Sequence, residues 1–442
     1  MPLRARSRVW RLLRYVSVNV GVYRGDEPPP SSWRVLRNQN FRLYFCGSVT
    51  SDFGTWLQNT AQVLLAYRLA RTALAVGLVT CAQFSSPLVF GPWAGVMADR
   101  FGSRRTLVAT QVVSALIAFC LAALEFSHTL TEWSLIAGAL ANGLGFTFAL
   151  PARNVTVRRL VSNAEIRPAY VMDAVSYSLG RVAAPPLCLL LGATLGFGWA
   201  FVVNGVSFVV FTVSLILAGD GQRRERLVRS RLSAGFLIAR SDRMILFLLL
   251  MVAAVTIADD PVLVLGPALA HHLGVSQNWP GWFIAALGAG SVLGSLRRTR
   301  ALPTLRLAAA ALAALGVCMV FFVATPWIWV SLAAAIGAGV TCLVANSTTR
   351  TLLAKRAGPS REASVMAVWA IAWAGSKPLA SLTDGSLAGL IGVRATGFLL
   401  AVPAFIPLAY LVLKRFRVAD SAWFRAIHES DQSASAESEP AA

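Results

Sequence analysis

The sequence contains few charged residues. Asp, Glu, Lys and Arg make up 14% of its 442 residues, whereas soluble domains carry roughly 25%. Hydrophobic residues make up 56%, and apolar runs long enough to cross a bilayer recur along almost the whole chain. Lipid offers the backbone no hydrogen-bond partner, so such runs are predicted to be helices. The composition therefore predicts an all-α membrane protein.

Acidic residues are scarcer than basic ones, with 20 Asp and Glu against 40 Lys and Arg, for a net charge of +20. A nucleic-acid-binding protein concentrates its basic residues on one soluble face. Here the basic residues lie in short segments between the apolar runs. We therefore predict membrane lipid, and not nucleic acid, as the partner of this positive charge.

Paired cysteines and enzyme motifs are also lacking. The six cysteines lie in apolar segments without a CxxC-type pair, so we interpret them as small, reduced core residues. His271 and His272 are interpreted as incidental surface residues, not metal ligands. No P-loop, HExxH or GxSxG sequence occurs in its required context. We therefore predict no enzyme activity, no metal, no cofactor and no ATP-driven pumping.

The apolar runs predict about twelve transmembrane helices. Their predicted ranges are 41–66, 72–98, 106–126, 132–152, 170–195, 198–219, 244–271, 279–297, 305–324, 327–353, 363–391 and 394–414. The predicted regions are a basic cytoplasmic N-terminus at 1–40, a six-helix bundle at 41–219, a basic cytoplasmic linker at 220–243, a second six-helix bundle at 244–414 and a cytoplasmic, disordered tail at 415–442.

The N-terminal segment lacks the continuous apolar core and the cleavage site of a secretory signal. Arginines from Arg4 to Arg14 are interspersed with apolar residues. A helix lying on the anionic membrane surface is one interpretation, and a disordered start is the other.

The basic residues predict the orientation, because positively charged loops stay in the cytoplasm. All but five of the 40 lie in the N-terminus, in the loops that follow even-numbered helices, or in the tail. Arg68, Arg71 and Arg394 fall in the alternate loops, and Arg181 and Lys377 lie inside predicted helices. Both termini are therefore predicted to be cytoplasmic. The excess of Arg over Lys and the abundant Ala favour a bacterial source, and thus the inner membrane.

The two predicted bundles resemble each other in sequence. Asn154-Val-Thr-Val-Arg158 follows the fourth predicted helix and Asn346-Ser-Thr-Thr-Arg350 lies at the end of the tenth, and each precedes a polar loop and a Val-Met pair. The matching helix counts and loop charges favour parallel repeats with a binding site between them.

The most specific local pattern lies between the second and third predicted helices. It runs Gly95-Val-Met-Ala-Asp99-Arg100-Phe-Gly102-Ser-Arg104-Arg105. Glycine permits a tight turn at Gly102, Asp99 can complement a helix N-terminus, and the arginines can pair with acids across the bundle interface. We predict that Gly95, Asp99, Arg100, Gly102, Arg104 and Arg105 form a gating motif.

This loop resembles the major facilitator signature G-x-x-x-D-R-x-G-R-R, with Ser103 separating the last two arginines. The resemblance implies the major facilitator fold, commonly monomeric, with the loop closing the cytoplasmic gate in the outward-facing state. Gly54-Thr-Trp56-Leu-Gln58 and Pro151-Ala-Arg153 are similar to the branch that contains the enterobactin exporters. Gly180-Arg181-Val-Ala-Ala184-Pro185-Pro186 partly matches the drug:proton antiporter signature.

Charged residues inside the predicted helices are candidates for function, because each costs roughly 2.5 to 3.5 kcal/mol by insertion scales. Asp52 and Arg181 lie in the first and fifth helices, and Asp259, Asp260 and Lys377 lie in the equivalent seventh and eleventh. We predict one ion pair within each bundle: Asp52 with Arg181, and Asp259 or Asp260 with Lys377.

The remaining aspartate of the seventh helix would be unpaired, and an unpaired buried carboxylate can load and release a proton near neutral pH. Asp259 or Asp260 is therefore the predicted coupling site. Asp384 lies seven residues after Lys377 and could compete for it. Static pairs that only orient the helices are the alternative.

Two further patterns suggest a cavity. Ser48, Asp52, Thr55, Asn59 and Gln62 form a polar stripe on one face of the first helix. The stripe predicts either the lining of a water-filled cavity or a polar seam between helices. Trp369 and Trp373 lie one turn apart and are predicted either to stack on an aromatic or lipophilic substrate or to serve as packing residues.

Together these features predict a secondary transporter that exports small amphipathic molecules, such as drugs, siderophores or secondary metabolites, by proton-coupled alternating access. A facilitator or importer with the same fold is the first alternative. A membrane sensor or scaffold that transports nothing is the second.

Overall fold

A computed structural model describes residues 32–162, 165–219, 232–276, 279–296, 303–358 and 361–413. A short 3₁₀ helix, Ser32–Arg37, precedes the α-helices. The first six α-helices are α1 Gln39–Ala70, α2 Ala73–Phe101, α3 Ser103–Phe126, α4 Glu132–Leu160, α5 Ile166–Thr194 and α6 Gly198–Ala218. The others are α7 Leu232–Ser241, α8 Arg243–Asp259, α9 Pro261–Val264, α10 Gly266–His272, α11 Trp279–Leu296, α12 Leu305–Ala324, α13 Ile328–Ala357, α14 Glu362–Ile391 and α15 Val393–Leu413.

The predicted fold class is confirmed. Within the described residues, ten candidate spans are long and apolar enough to cross a membrane. With α1, which carries the polar stripe, and α11, the described residues contain twelve long helices. Helices α1–α6, here called the N-terminal set, and α8–α15, called the C-terminal set, are the two six-span bundles of the predicted fold.

Side-chain caps fix several helix starts. Thr72, Thr304 and Asp242 accept backbone N–H groups at the starts of α2, α12 and α8. Thr131 and Ser134 form a reciprocal capping box at the start of α4. These bonds satisfy amides that have no partner within the helix.

Packing within each set is extensive. In the N-terminal set, α1 contacts α5 and α6, and α4 contacts α2 and α3; in the C-terminal set, α13 contacts α11 and α12, and α15 contacts α12. The two sets meet along α2 with α14 and along α5 with α11. The loops α2–α3 and α4–α5 lie at the end that we call the arginine-rich side. The loops α1–α2, α5–α6 and α14–α15 lie at the opposite, arginine-poor side.

The seventh predicted helix, expected to run unbroken over 244–271, is divided into α8, α9 and α10. Pro261 has no N–H to donate and its ring clashes with the preceding turn, which ends α8 beside Asp259 and Asp260. The fourth helix continues to Leu160 and passes through Pro151, whereas the sequence predicted an end at 152.

The cysteine prediction is partly wrong. All six are free, but only Cys188 is buried, while Cys46 and Cys120 are exposed on the surface of the helices. The predicted N-terminal surface helix, most of the linker and the tail lie outside the described residues. Within the predicted linker, α7 is helical.

Candidate functional site: two buried charge clusters and the seam between them

The N-terminal set contains a closed network around Arg153 of α4. Its guanidinium binds both carboxylate oxygens of Asp52, each at 2.8 Å, and Asp173 of α5 at 2.9 Å. The Tyr44 hydroxyl donates to Asp173 at 2.9 Å. The hydroxyls of Ser48 and Ser176 also donate to Asp52. Every charge in this network has a directed partner, as buried ions require.

The predicted pair of Asp52 with Arg181 is therefore wrong. Asp52 is held by Arg153, which the sequence analysis placed in a loop because it ended the fourth helix too early. Arg181 of α5 instead points towards the C-terminal set, with its guanidinium 3.7 Å from Asp259 and 5.5 Å from the Trp56 ring. This ion pair joins the two sets.

The charges of the C-terminal set are held more loosely. The Lys377 ammonium lies 3.5 Å from Asp260, as one of the predicted alternatives required, and 5.2 Å from the ring of Phe84 in the other set. The Ser381 hydroxyl donates to Asp260. One oxygen of Asp259 and one of Asp260 are buried without a hydrogen-bond partner in the described structure.

The prediction that one of Asp259 and Asp260 lacks a cation is wrong, because each has one. Asp384 of α14 is instead a buried carboxylate that has neither an ion-pair nor a hydrogen-bond partner among the described residues. It is fully buried, and neither of its oxygens has a hydrogen-bond partner among the described residues. Lys377 pairs with Asp260, so Asp384 does not hold this cation in the structure. The structure thus moves the unpaired acid from the seventh predicted helix to the eleventh.

Asp384 lies in the closest part of the seam between α2 and α14. A Cβ on Gly77 would collide with the backbone carbonyl of Ser381, and a Cβ on Gly385 would lie 2.8 Å from the Cα of Leu74. Only residues without a side chain allow the two backbones to approach this closely. Asp384 is therefore enclosed between the two sets on the arginine-poor half of α14.

Further along the seam, towards the arginine-rich side, the residues of α2 change from buried to exposed. Its first turns carry buried Val76 and Val79, whereas Val89, Trp93 and Met97 are exposed. The backbones touch at the arginine-poor end, and Leu88 reaches Gly375 near the middle.

The polar stripe of α1 forms a seam between helices for much of its length. Ser48 and Asp52 belong to the Arg153 network, and Asn59 accepts a hydrogen bond from Gln83 of α2 at 2.9 Å. Gln62 is buried, and both of its side-chain polar atoms lack a partner within the described residues. This end of the stripe leaves hydrogen-bonding capacity unused.

The two tryptophans of α14 stack on each other. The rings of Trp369 and Trp373 are 6.2 Å apart and 6° from parallel, and the Arg350 guanidinium of α13 lies 4.7 Å from the centre of the Trp369 ring. The buried Trp369 Nε1 has no hydrogen-bond partner in the described region. Whether they bind a substrate stays a prediction.

The α2–α3 loop has the predicted tight turn. Gly102 adopts φ 87° between α2 and α3, a conformation that favours glycine. Arg104 binds the carbonyl oxygens of Leu215 and Ile216 at the end of α6, at 2.9 and 2.6 Å. The sequence analysis predicted that the arginines of this motif pair with acids across the bundle interface. The structure shows that Arg104 donates to carbonyl oxygens at the end of a helix in its own set. Arg100 and Arg105 are exposed. Gly95 and Asp99 lie in α2, but the side chain of Asp99 is outside the described atoms.

Sequence reasoning missed the centre of the N-terminal network, namely Tyr44, Arg153 and Asp173. A signal was available for Arg153: it lies two residues after Pro151, and helices in membrane proteins often continue through proline because neighbouring helices satisfy the freed carbonyl. Continuing the helix beyond residue 152 would have placed this arginine among the charged residues inside the predicted helices.

Twelve long helices, ten of them apolar enough to cross a membrane, with buried charges where two sets meet, are typical of a polytopic membrane transporter. The sequence profile of the Major Facilitator Superfamily matches residues 44–381, which is most of the chain. The protein belongs to this superfamily.

Individual relatives are distant. The MFS-type transporter YfiS of Bacillus subtilis (strain 168) is 24% identical over 59% of this chain and 64% of its own length. A protein that carries the name multidrug resistance protein MdtD, from Serratia proteamaculans (strain 568), is 25% identical over 38% of this chain and 35% of its own length. The matched segments thus span less than two thirds of these relatives.

Solved structures resemble the fold. A crystal structure of the nucleoside transporter NupG gives a TM-score of 0.70 at 12% identity and covers 86% of this chain and 100% of that one. A bacterial homologue of the lysosomal transporter Spinster, in its inward-facing and occupied conformation, gives 0.68 at 13% identity, with 88% and 97% covered. At these identities the likeness concerns the fold alone.

Proposed function

We propose that the protein is a proton-coupled exporter of small amphipathic molecules that works by alternating access between the N-terminal and C-terminal sets. The observation that carries the proposal is the buried, unpartnered carboxylate of Asp384 in the seam between the sets. The structure is closed at the arginine-poor side, which the positive-inside rule assigns to the outside of a bacterial inner membrane.

Burial of an ionised carboxylate without a hydrogen bond is strongly unfavourable. The closed seam therefore favours the protonated form of Asp384. Separation of α2 from α14 would hydrate the carboxylate and allow it to ionise. Because linkage is reciprocal, a proton on Asp384 stabilises the closed seam and loss of that proton favours its opening.

This linkage has the sign that an antiporter needs. A proton taken up from outside, after the substrate has left, would close the seam between α2 and α14. The substrate-binding region between the two sets would then be accessible from the cytoplasm. Release of the proton to the cytoplasm would favour opening to the outside with a substrate bound. The Lys377 and Asp260 side chains face Asp384 and set the charge around it, and Arg181 with Asp259 joins the two sets beside them.

The stacked Trp369 and Trp373 support an amphipathic substrate, because flat apolar faces lie close to the Arg350 cation. Export is supported by the resemblance to the enterobactin exporters and by the multidrug name of one relative. The two six-helix domains, the gating role of the α2–α3 loop, the monomeric state and the cytoplasmic termini belong to the same proposal.

The test is efflux of fluorescent amphiphiles from proteoliposomes, with and without an imposed pH gradient. We expect gradient-driven efflux in the wild type, and efflux independent of the gradient in Asp384→Asn, which is uncharged at any pH. Asp259→Asn is the matched control, since it removes a paired acid nearby and should retain gradient dependence.

Equal gradient dependence in wild type and Asp384→Asn would reject Asp384 as the coupling site. Efflux that ignores the gradient in the wild type would indicate a facilitator. Absence of transport for every probe would favour the sensor or scaffold.

A further inference from the structure

A cavity of about 400 Å³ opens on the arginine-poor side, between the ends of α1 and α5 and the α10–α11 segment. Tyr67, Arg68 and Arg71 line it from the N-terminal set, and His271 and Pro280 line it from the C-terminal set. The Tyr67 and His271 rings are in edge-to-face contact, with centroids 6.2 Å apart. The cavity is therefore built from both sets at the point where they meet.

The charge of this cavity is unusual for its side of the protein. Arg68, Arg71 and Arg394 are the only Lys or Arg residues that the sequence places in the arginine-poor loops, and two of the three line this cavity. In the described chain no carboxylate lies within ion-pair distance of either arginine, whereas the arginines of the two buried clusters all have acidic partners. Two uncompensated cations and an imidazole thus share one concave surface.

The position of Arg71 is fixed by its backbone. It ends α1 with φ 56°, and its N–H donates to the Tyr67 carbonyl at 2.8 Å. Where a helix ends with a left-handed residue, that residue is usually glycine, and another residue there costs free energy that the local structure must offset. Placing an arginine here holds its side chain at the mouth of the cavity.

The remaining walls are apolar. Leu64, Phe197 and Val275 lie around the charged rim, together with two prolines. An anionic group on an apolar body fits this combination, because guanidinium groups bind carboxylates and phosphates well while the walls contact its hydrocarbon part.

We propose that this cavity binds an amphipathic organic anion, whose acidic group is held by Arg68 and Arg71 and whose apolar part contacts both sets. An occupant that bridges the sets stabilises the closed arginine-poor side. Two sources share this chemistry: a small organic acid on that side of the membrane, and the headgroup region of an anionic lipid.

Calorimetric titration of the protein in phosphatidylcholine nanodiscs with octanoate, corrected with empty discs, tests the site without any transport. We expect binding to the wild type, binding weakened about tenfold or more in Arg68→Gln and in Arg71→Gln, and none in the double variant. Arg394→Gln is the matched control on the same side and should bind as the wild type does. Octanol, which has the same chain without the charge, should not bind.

Competition experiments distinguish the two possible occupants of the cavity, a free organic acid and an anionic lipid. Displacement of octanoate by nanodisc phosphatidylglycerol, and not by added inorganic phosphate, supports the site with a lipid as its occupant. Octanoate binding that is unchanged in phosphatidylglycerol discs supports the site with a free organic acid. The proposal is overturned if wild type does not bind octanoate, if the double variant binds it equally well, or if octanol binds as tightly. These outcomes do not depend on proton-coupled export, which the efflux experiment judges separately.

Discussion

The two halves of the molecule treat buried charge in opposite ways. In the N-terminal set, Asp52 receives two guanidinium bonds of 2.8 Å and two hydroxyl bonds. In the C-terminal set, Lys377 and Asp260 are 3.5 Å apart, and Asp384 has no hydrogen-bond partner among the described residues. Both halves bury aspartates inside their long helices, but among the described residues only the N-terminal set gives each of its buried aspartates a partner.

The difference suggests a division of labour. A network in which every ion has several directed bonds resists a change in protonation, because the loss of one charge leaves its partners buried without compensation. A carboxylate without partners is best accommodated when neutral, so its protonation follows its exposure to water. The N-terminal cluster therefore has the properties of a rigid structural element, and the C-terminal cluster those of a proton-responsive one.

Removal of the central cation of each cluster should give the largest contrast. Arg153→Leu leaves Asp52 and Asp173 buried without their cation, and we expect a loss of about 3 to 5 kcal/mol in unfolding free energy. Lys377→Leu should cost clearly less, because it removes a 3.5 Å partner of one carboxylate, Asp260, whereas Arg153 is the close partner of two. Denaturant unfolding in detergent micelles measures both. Equal losses would contradict the contrast between the clusters.

The second prediction compares a close contact between the sets with one inside a set. A Cβ at Gly77 would meet the Ser381 carbonyl of the other set, and a Cβ at Gly143 would meet the Gln83 carbonyl of the same set. Overpacking of this kind costs about 1 to 3 kcal/mol. Because the sets can separate, Gly77→Ala should open the seam, whereas Gly143→Ala should lower the stability of the fold.

Hydrogen–deuterium exchange of the first turns of α2, measured together with the melting temperature, separates these two effects. Gly77→Ala should exchange faster at the seam with little change in melting temperature, and Gly143→Ala should show the reverse. Faster seam exchange in both variants, or in neither, would argue that the α2–α14 contact is not a movable seam.

The smallest expected effect is at a helix start outside the membrane spans. Asp242 caps α8 and binds Arg356 at 2.8 Å. Partial burial acts to raise the pKa of Asp242, but the Arg356 bond and the amides of Met244 and Ile245 outweigh it and hold the pKa below its usual value. Stabilisation by the ionised form is therefore present above about pH 4 and lost as the pH falls through the lowered pKa.

Asp242→Asn keeps an oxygen for the cap and removes the charge. We expect a loss of less than about 1 kcal/mol at pH 7, because the pair is partly exposed to solvent. The difference from wild type in melting temperature should shrink as the pH is lowered below 4. A difference that is constant over this range would show that the ion pair contributes nothing.

The sequence was sufficient for the fold class and for many helix positions, because lipid forces long apolar segments into helices. It also located the acids Asp52, Asp259, Asp260 and Asp384 and the tight turn at Gly102, but it missed Asp173. It placed Arg153 in a loop and paired Asp52 with the wrong cation. Pairing depends on side chains that lie about a hundred residues apart, and symmetry between the repeats was a poor guide to it.

The sequence by itself therefore identified most of the residues that carry charge into the helices, because a charged residue stands out against an apolar background, but it missed Arg153 and Asp173. Only the tertiary structure decided which of those charges are satisfied, because helix rotation and the approach of α2 to α14 set the distances. The same holds for the cavity at Arg68 and Arg71, whose two walls come from opposite halves of the chain. Hydropathy is a local property of the sequence, whereas ion pairing is a property of the packed helices.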